Sequence, residues 1–265
     1  MKNLPVLMSR PLISIITVNF NDLEGLKRTF KSVFNQTWKE FEYIVIDGGS
    51  NDGSAELISS QGSSINYWIS EPDSGIYNAM NKGIGAANGE YLLFLNSGDE
   101  LINSEILSNN YFQLKGKDVY YYNKNIYQAS NNYIRDMPSE LTFSFLYSDS
   151  LAHQSTFIKK TLFEEIGLYD ENLKIVSDWK FFIIAFYKFN ASFEYVNNII
   201  TVFYLGGASS DKALMMKERS EVITSDFSRI HEDFKNYKAL ERKLNKLRSS
   251  LKIKIMINLG LLNKF

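Results

Sequence analysis

Carboxylates beside glycines in short polar loops are the residues of this 265-residue chain best suited to chemistry. They fall in Asn19-Phe-Asn-Asp22, Asp47-Gly-Gly-Ser-Asn-Asp-Gly53, Glu71-Pro-Asp-Ser-Gly75 and Asn96-Ser-Gly-Asp-Glu100. Nine of the fifteen glycines lie between positions 48 and 98, so backbone can approach a ligand closely beside these acids. Such carboxylates suit Mg²⁺ or Mn²⁺, which bind through one or two acidic side chains while phosphates supply further oxygens. A cation so placed neutralises a diphosphate and makes it a workable leaving group. Taken singly, each loop also reads as a plain turn with Asx caps.

Other chemistries are excluded by composition. With no cysteine, disulfides, thiolate metal sites and cysteine nucleophiles cannot occur. Two histidines, His153 and His231, are too few for a histidine-rich metal centre. There is no P-loop, nucleophile elbow or H-E-x-x-H. Gly83-Ile-Gly-Ala-Ala-Asn88 closes a helical pattern and lacks the third glycine, so it is not a dinucleotide fingerprint.

The elements that must position the acids follow from periodicity. Leu12–Val18, Phe41–Ile46, Ile65–Ile69 and Glu90–Leu95 read as strands, separated by helices from Asn21, after Gly53 and from about Ser74. Asn21 with Glu24 forms a capping-box pattern, and Leu23, Leu26, Phe30, Val33 and Phe34 give that helix one apolar face. The βαβαβαβ order predicts an α/β fold with a mostly parallel central sheet. All four polar loops then follow strand ends, where ligands of open α/β sheets sit. Further on, Val119–Tyr122, Phe193–Val196 and Ile199–Leu205 read as strands, with Asn131-Asn132 as loop residues. Ser177 or Asp178 begins a buried helix, and about 212–248 reads as a long polar helix.

Ile13–Asn21, Tyr43–Ser54, Ile69–Ile84 and Gly89–Asp99 resemble the family 2 glycosyltransferases of GT-A fold, and most of all the bacterial enzymes that build surface polysaccharides. The resemblance is continuous over about 11–100 and resumes at 153–210. It implies a catalytic domain over 1–211, with a nucleotide-sugar half to about residue 100 and an acceptor half after it, and a basic helical extension over 212–265. It implies that Asp47 receives the uracil N3–H of a UDP-sugar, a task suited to an acceptor-only carboxylate. Thr17, Asn19, Asp73 and Asn81 fall at the family's nucleotide-binding positions, and Asp99 at its Mg²⁺ or Mn²⁺ ligand. This chain shows a single acid there, after Asn96, Ser97 and Gly98.

The same resemblance makes Asp178, in Val176-Ser-Asp-Trp-Lys-Phe181, the base that deprotonates the acceptor hydroxyl. A bare helix N-cap is the other role for that residue. A helix start favours the ionised carboxylate, so such a base has to gain basicity from burial or neighbouring acids. His153, Gln154 and Trp179 border the acceptor site in this reading, and Gly206-Gly-Ala-Ser-Ser210 resembles the family's closing segment. The reaction implied is an inverting single displacement onto a saccharide or lipid-linked saccharide. A sugar-nucleotide nucleotidyltransferase and a non-catalytic nucleotide-sugar-binding module are the rival classes.

The net charge of −1 conceals a split. Residues 235–265 carry nine Lys/Arg and one Glu, a net of +8, leaving −9 on the rest, so no nucleic-acid partner is expected. In 239–257, Leu240, Leu244, Leu247, Leu251 and Ile255 recur at helical spacing among basic residues, which reads as an anionic-membrane surface helix or as a coiled coil with a second copy. Pro5, Arg10 and Pro11 interrupt any secretory apolar region, and no run reaches the ~18 apolar residues of a spanning helix. The expected location is cytoplasmic, or peripheral on the inner face of the plasma membrane.

Overall fold

In the computed structural model, which describes residues 10–128, 131–204 and 211–263, the β-branched run Ile13–Asn19 forms β1 and is buried along its whole length. A strand so apolar has to be covered on both faces, the condition of a parallel sheet between helices. Helix α1 (Leu23–Phe34) supplies part of that cover through Leu26, Phe30 and Val33. The alternation continues through β2 (Phe41–Asp47), α2 (Ser54–Ser60), β3 (Tyr67–Ser70), α3 (Ile76–Ala86) and β4 (Tyr91–Phe94), the order expected from periodicity.

After β4 come β5 (Glu100–Leu101), β6 (Val119–Tyr122), β7 (Lys124–Gln128), β8 (Asn131–Arg135), α4 (Phe143–Ser148) and β9 (Thr156–Lys159). They are followed by α5 (Lys160–Ile166), α6 (Ser177–Tyr187), β10 (Phe193–Val196) and β11 (Thr201–Tyr204). The central sheet has the order β10-β6-β9-β4-β1-β2-β3. Its pairings are parallel except where β9 lies antiparallel between β4 and β6. A smaller sheet, β5-β11-β7-β8, stands beside it. The fold is therefore α/β with a mostly parallel central sheet.

Register brings the strand-end polar residues side by side. Asn19 pairs with Asp47 across β1 and β2, and Asp47 with Ser70 across β2 and β3. Paired residues of neighbouring strands share a sheet face, so these three side chains meet. Helix α3 can lie close on the same strands because Gly83 has no side chain: a Cβ there would stand 2.5 Å from Ile16 Cγ2.

Several local expectations are corrected. Asp22, not Asn21, caps α1, accepting from Gly25 N–H at 3.0 Å. Asn21 takes a positive φ of 50° and is spent on the neighbouring loop, donating its N–H to Ser50 Oγ and accepting from Asn51 N–H. Asn131-Asn132 is not loop but the start of β8, an exposed outer strand where polar side chains are tolerated.

Residues 213–265 make a second compact unit. The expected continuous helix over 212–248 is two, α7 (Lys212–Asp226) and α8 (Ser228–Ser249). The apolar stripe of 239–257 is likewise divided, because Ser250 adopts an extended ψ of 127° before α9 (Leu251–Asn258).

Candidate functional site

Asp47 is 0% exposed, and its carboxylate is saturated by the chain itself. Oδ1 accepts from Asn19 Nδ2 at 2.7 Å and Ser50 Oγ at 2.6 Å. Oδ2 accepts from Ser50 N–H at 2.9 Å and Ser70 Oγ at 2.6 Å. Burial alone would raise its pKa, but the bonds from Ser50, Ser70 and Asn19 outweigh it and hold the carboxyl below the ordinary range. Asp47 thus ties three strand ends together. Thr17 is also internal, with Oγ1 donating to Leu95 C=O at 2.7 Å and lying 3.0 Å from the Tyr43 hydroxyl.

Above this brace lies a cleft of about 550 Å³, lined by Asn19, Phe20, Asp22, Gly48, Asp73, Asn96 and Ser97, with Gly75, Ile76 and Ala79 from the start of α3. Asn19 and Asp73 are therefore brought together as expected, whereas Asp47, Thr17 and Asn81 do not line it. Asn81 is committed to another task. Its Nδ2 donates to Tyr169 C=O at 2.9 Å and Glu171 Oε1 at 2.8 Å, and its Oδ1 accepts from Tyr169 N–H at 3.0 Å. It anchors the 169–171 segment to α3.

The loop after β4 is fastened to α1 by Thr29, whose Oγ1 donates to Asp99 C=O at 2.8 Å and accepts from Gly98 N–H at 3.0 Å. Gly98 has a φ of 93°, which favours glycine at this turn. The Asp99 side chain is buried, and burial pushes its carboxyl up to about 7 despite the charge of nearby His153. Asn96 Oδ1 is buried without a hydrogen-bond partner among the described residues.

An unpartnered amide oxygen and a carboxylate are the kinds of ligand that a hard divalent cation takes beside phosphate and water, but Asp99, unlike Asn96, is not among the residues lining the cleft. No group of three or more acidic or histidine side chains able to enclose a metal occurs among the described residues.

Asn96 connects the cleft to a second cluster. Its Nδ2 lies 3.1 Å from His153 Nε2, and His153 Nδ1 lies 3.0 Å from Asp178 Oδ2. Asp178 Oδ1 accepts from Trp179 N–H at 2.9 Å and stands 3.1 Å from the Tyr77 hydroxyl. Topology explains the meeting. The antiparallel β9 begins at the edge where β4 ends, so His153, just before β9, arrives beside Asn96.

Asp178 does not cap α6: Val176 holds the N-cap position, and no side chain caps it. The expectation that burial raises its basicity is not met. Burial pushes its pKa upward, but the hydrogen bond and charge of His153, with the Trp179 N–H and Tyr77 hydroxyl, bring it below the usual carboxylate range. For His153, burial pulls downward, and the bond and charge of Asp178 with the charge of Asp99 leave it raised.

Trp179 is 1% exposed and donates Nε1–H to Leu146 C=O at 2.6 Å, so it belongs to the core. Gln154 is buried as well. Gly206–Ser210 falls outside the described residues. Three residues at the centre of the site, Phe20, Tyr77 and Asn96, were not assigned from the sequence. Phe20 carried a signal, being a large apolar side chain in a polar strand-end loop. Asn96 carried one as well, opening the polar loop after the fourth strand, whereas Tyr77 carried none, since only the tertiary arrangement brings it to the cluster.

Known proteins resemble this chain in sequence and in fold. The family model for glycosyl transferase family 2 matches residues 14–163. An uncharacterized glycosyltransferase of Mycobacterium tuberculosis is 35% identical over 182 residues, covering 67% of this chain and 70% of the relative. A PGL/p-HBAD biosynthesis glycosyltransferase of Mycobacterium bovis is 28% identical, covering 68% and 71%.

Among solved structures, S. aureus TarS residues 1–349 in complex with UDP-GlcNAc superposes with a TM-score of 0.62 at 20% identity, over 80% of this chain and 66% of that one. The mannosyltransferase PcManGT of Pyrobaculum calidifontis, in complex with GDP-Man and Mn²⁺, gives 0.59 at 14% identity, over 85% and 65%. The chain thus covers a little under two thirds of these two solved chains, and 36% of the longer solved chain of TarS. Their likeness establishes the GT-A type of fold, and the family match over residues 14–163 establishes the rest: the chain belongs to glycosyl transferase family 2.

Proposed function

We propose that the chain transfers a sugar from a UDP-sugar to an acceptor hydroxyl with inversion at the anomeric carbon, Asp178 serving as general base. The observation that carries this reading is the hydrogen-bonded path from the cleft wall through Asn96 and His153 to Asp178. It sets an ionised carboxylate one imidazole away from a cavity large enough for a nucleotide sugar.

The acceptor O–H proton passes to Asp178 as the acceptor oxygen bonds to the anomeric carbon. The bond from that carbon to the diphosphate oxygen breaks with its electron pair remaining on UDP. An α-linked donor therefore yields a β-linked product. Asp99 with Asn96 Oδ1 would hold Mg²⁺ or Mn²⁺, which supplies charge neutralisation for the departing diphosphate. His153 orients Asp178 and, with Tyr77, keeps its oxygens in place.

The acceptor proposed is a saccharide, lipid-linked in the assembly of a bacterial surface polysaccharide. The second unit supports attachment to an anionic membrane. Leu240, Leu244, Leu247, Leu251 and Ile255 are exposed on α8 and α9, among Arg242, Lys243, Lys246, Arg248, Lys252 and Lys254.

The test is UDP release from a panel of UDP-sugars, with and without acceptor and with EDTA added. Transfer is expected from at least one UDP-sugar, to be lost with EDTA. Asp178→Asn is expected to lower transfer by about 100-fold or more while UDP affinity stays within twofold. Near-normal turnover of that variant would remove Asp178 from its role, and no turnover with any UDP-sugar would overturn the donor assignment.

A further inference from the structure

We propose that Asp73, on the loop after β3, is the side chain that reads the base of the donor, in place of Asp47. The proposal rests on the UDP-sugar reading above and assigns its selectivity to a different loop. A group that recognises the uracil ring N–H needs a spare acceptor facing the cleft. Asp47 has none: it is wholly buried, and each oxygen already accepts two hydrogen bonds from Asn19, Ser50 and Ser70. A carboxylate so engaged can take on another donor only by breaking its brace.

The residue after Asp47 is Gly48, and the space its side chain would fill is taken by Asp73. A Cβ on Gly48 would stand 2.6 Å from Asp73 Oδ2 and 3.1 Å from Phe20 Cδ2. The Asp73 carboxylate therefore enters the cleft where a side chain at position 48 would begin. Its Oδ1 accepts from Gly75 N–H at 2.9 Å, which fixes the carboxyl plane, and Oδ2 has no hydrogen bond among the described residues.

Two neighbours on the same cleft favour a base as the ligand. Phe20 is 65% exposed, a large apolar ring left in water beside this carboxylate and able to cover a planar heterocycle. Asn19 lines the wall with its Nδ2 spent on Asp47 and Ser50, and its Oδ1 is buried without a partner among the described residues. Asp73 Oδ2 is the spare acceptor on this wall, so the ligand has to bring a donor. Uracil presents a ring N–H, whereas cytosine presents a bare ring nitrogen whose lone pair opposes a carboxylate. Asp73 accordingly selects UDP over CDP.

The experiment is calorimetric titration of UDP and CDP into the wild-type protein and into the Asp73→Asn and Asp73→Ala variants, with thermal melting to verify folding. Wild type is expected to prefer UDP by at least about tenfold, the scale of a hydrogen bond to a charged group. Asp73→Asn retains an oxygen for the Gly75 N–H and offers an amide that can donate to the cytosine ring nitrogen. Its preference should fall to within about threefold. Asp73→Ala should weaken UDP by about tenfold or more and lose most of the preference.

Wild-type preference retained by both folded variants would overturn the role of Asp73 while leaving the UDP-sugar reading intact. Failure of the wild-type protein to bind UDP would overturn that reading, and this proposal with it.

Discussion

Asp47 shows how a single side chain can look like a ligand contact and act as a fastener. Four hydrogen bonds to one buried carboxylate stabilise its charged form, and the energy of that preference is returned to the fold. Because its folded pKa is depressed, its contribution is present above the ordinary carboxylate range and is lost as pH falls through the folded value. Asp47→Asn sets an amide donor against Asn19 Nδ2 or the Ser50 N–H. The expected cost is about 2–4 kcal/mol at pH 7 and smaller at pH 2.5, measured by urea unfolding at both values. An equal cost at both pH values would show that packing, not charge, makes Asp47 matter. The sequence marked the position as special but could not say which of two tasks it performs, because the donors come from two other strands and from its own following loop.

At the scale of elements, the first hundred residues were legible because each strand and helix there is amphipathic or apolar over its full length. The caps were less so: moving the α1 cap from Asn21 to Asp22 turns on one backbone torsion, at Asn21. The 101–160 segment was obscure for a physical reason. Strand β9 is only four residues long, and nothing in Thr156–Lys159 reveals that it runs antiparallel between β4 and β6.

Of the site, Asn19 and Asp73 were legible as strand-end polar residues. His153 and Asp178 were marked only through the family resemblance, and their meeting with Asn96 and Tyr77 emerges from topology. Helix α3 links both regions, lining the cleft with Ile76 and Ala79 and reaching Asp178 through Tyr77. It lies on β1 and β2 at Gly83, so Gly83→Ala presses a methyl group into Ile16. The expected loss is about 1–3 kcal/mol of stability with donor choice unchanged, read by thermal melting beside a UDP-sugar panel.

At the scale of the whole molecule, charge divides the chain between its two compact units. No helix of the described residues is long and apolar enough to cross a membrane, so any attachment through the second unit is interfacial. Each basic residue near an anionic surface contributes about 1 kcal/mol, and α8 and α9 carry enough of them for reversible binding. Removing residues 239–265 is expected to abolish sedimentation with phosphatidylglycerol-rich vesicles while transfer to a water-soluble acceptor continues. Sedimentation unchanged by the truncation would exclude the membrane reading.

The place of β9 also matters while the chain is being made. Strand β4 is finished at residue 94, yet the partner that covers its outer edge ends at residue 159. During synthesis, the ribosome therefore has to deliver some sixty more residues before that edge is closed. At ordinary elongation speeds of roughly 5–20 residues per second, Tyr91–Phe94, paired to β1 on one side, waits several seconds with its other edge open. The strand that delivers His153 to the site is thus also the one whose late arrival leaves the nascent protein most open to aggregation.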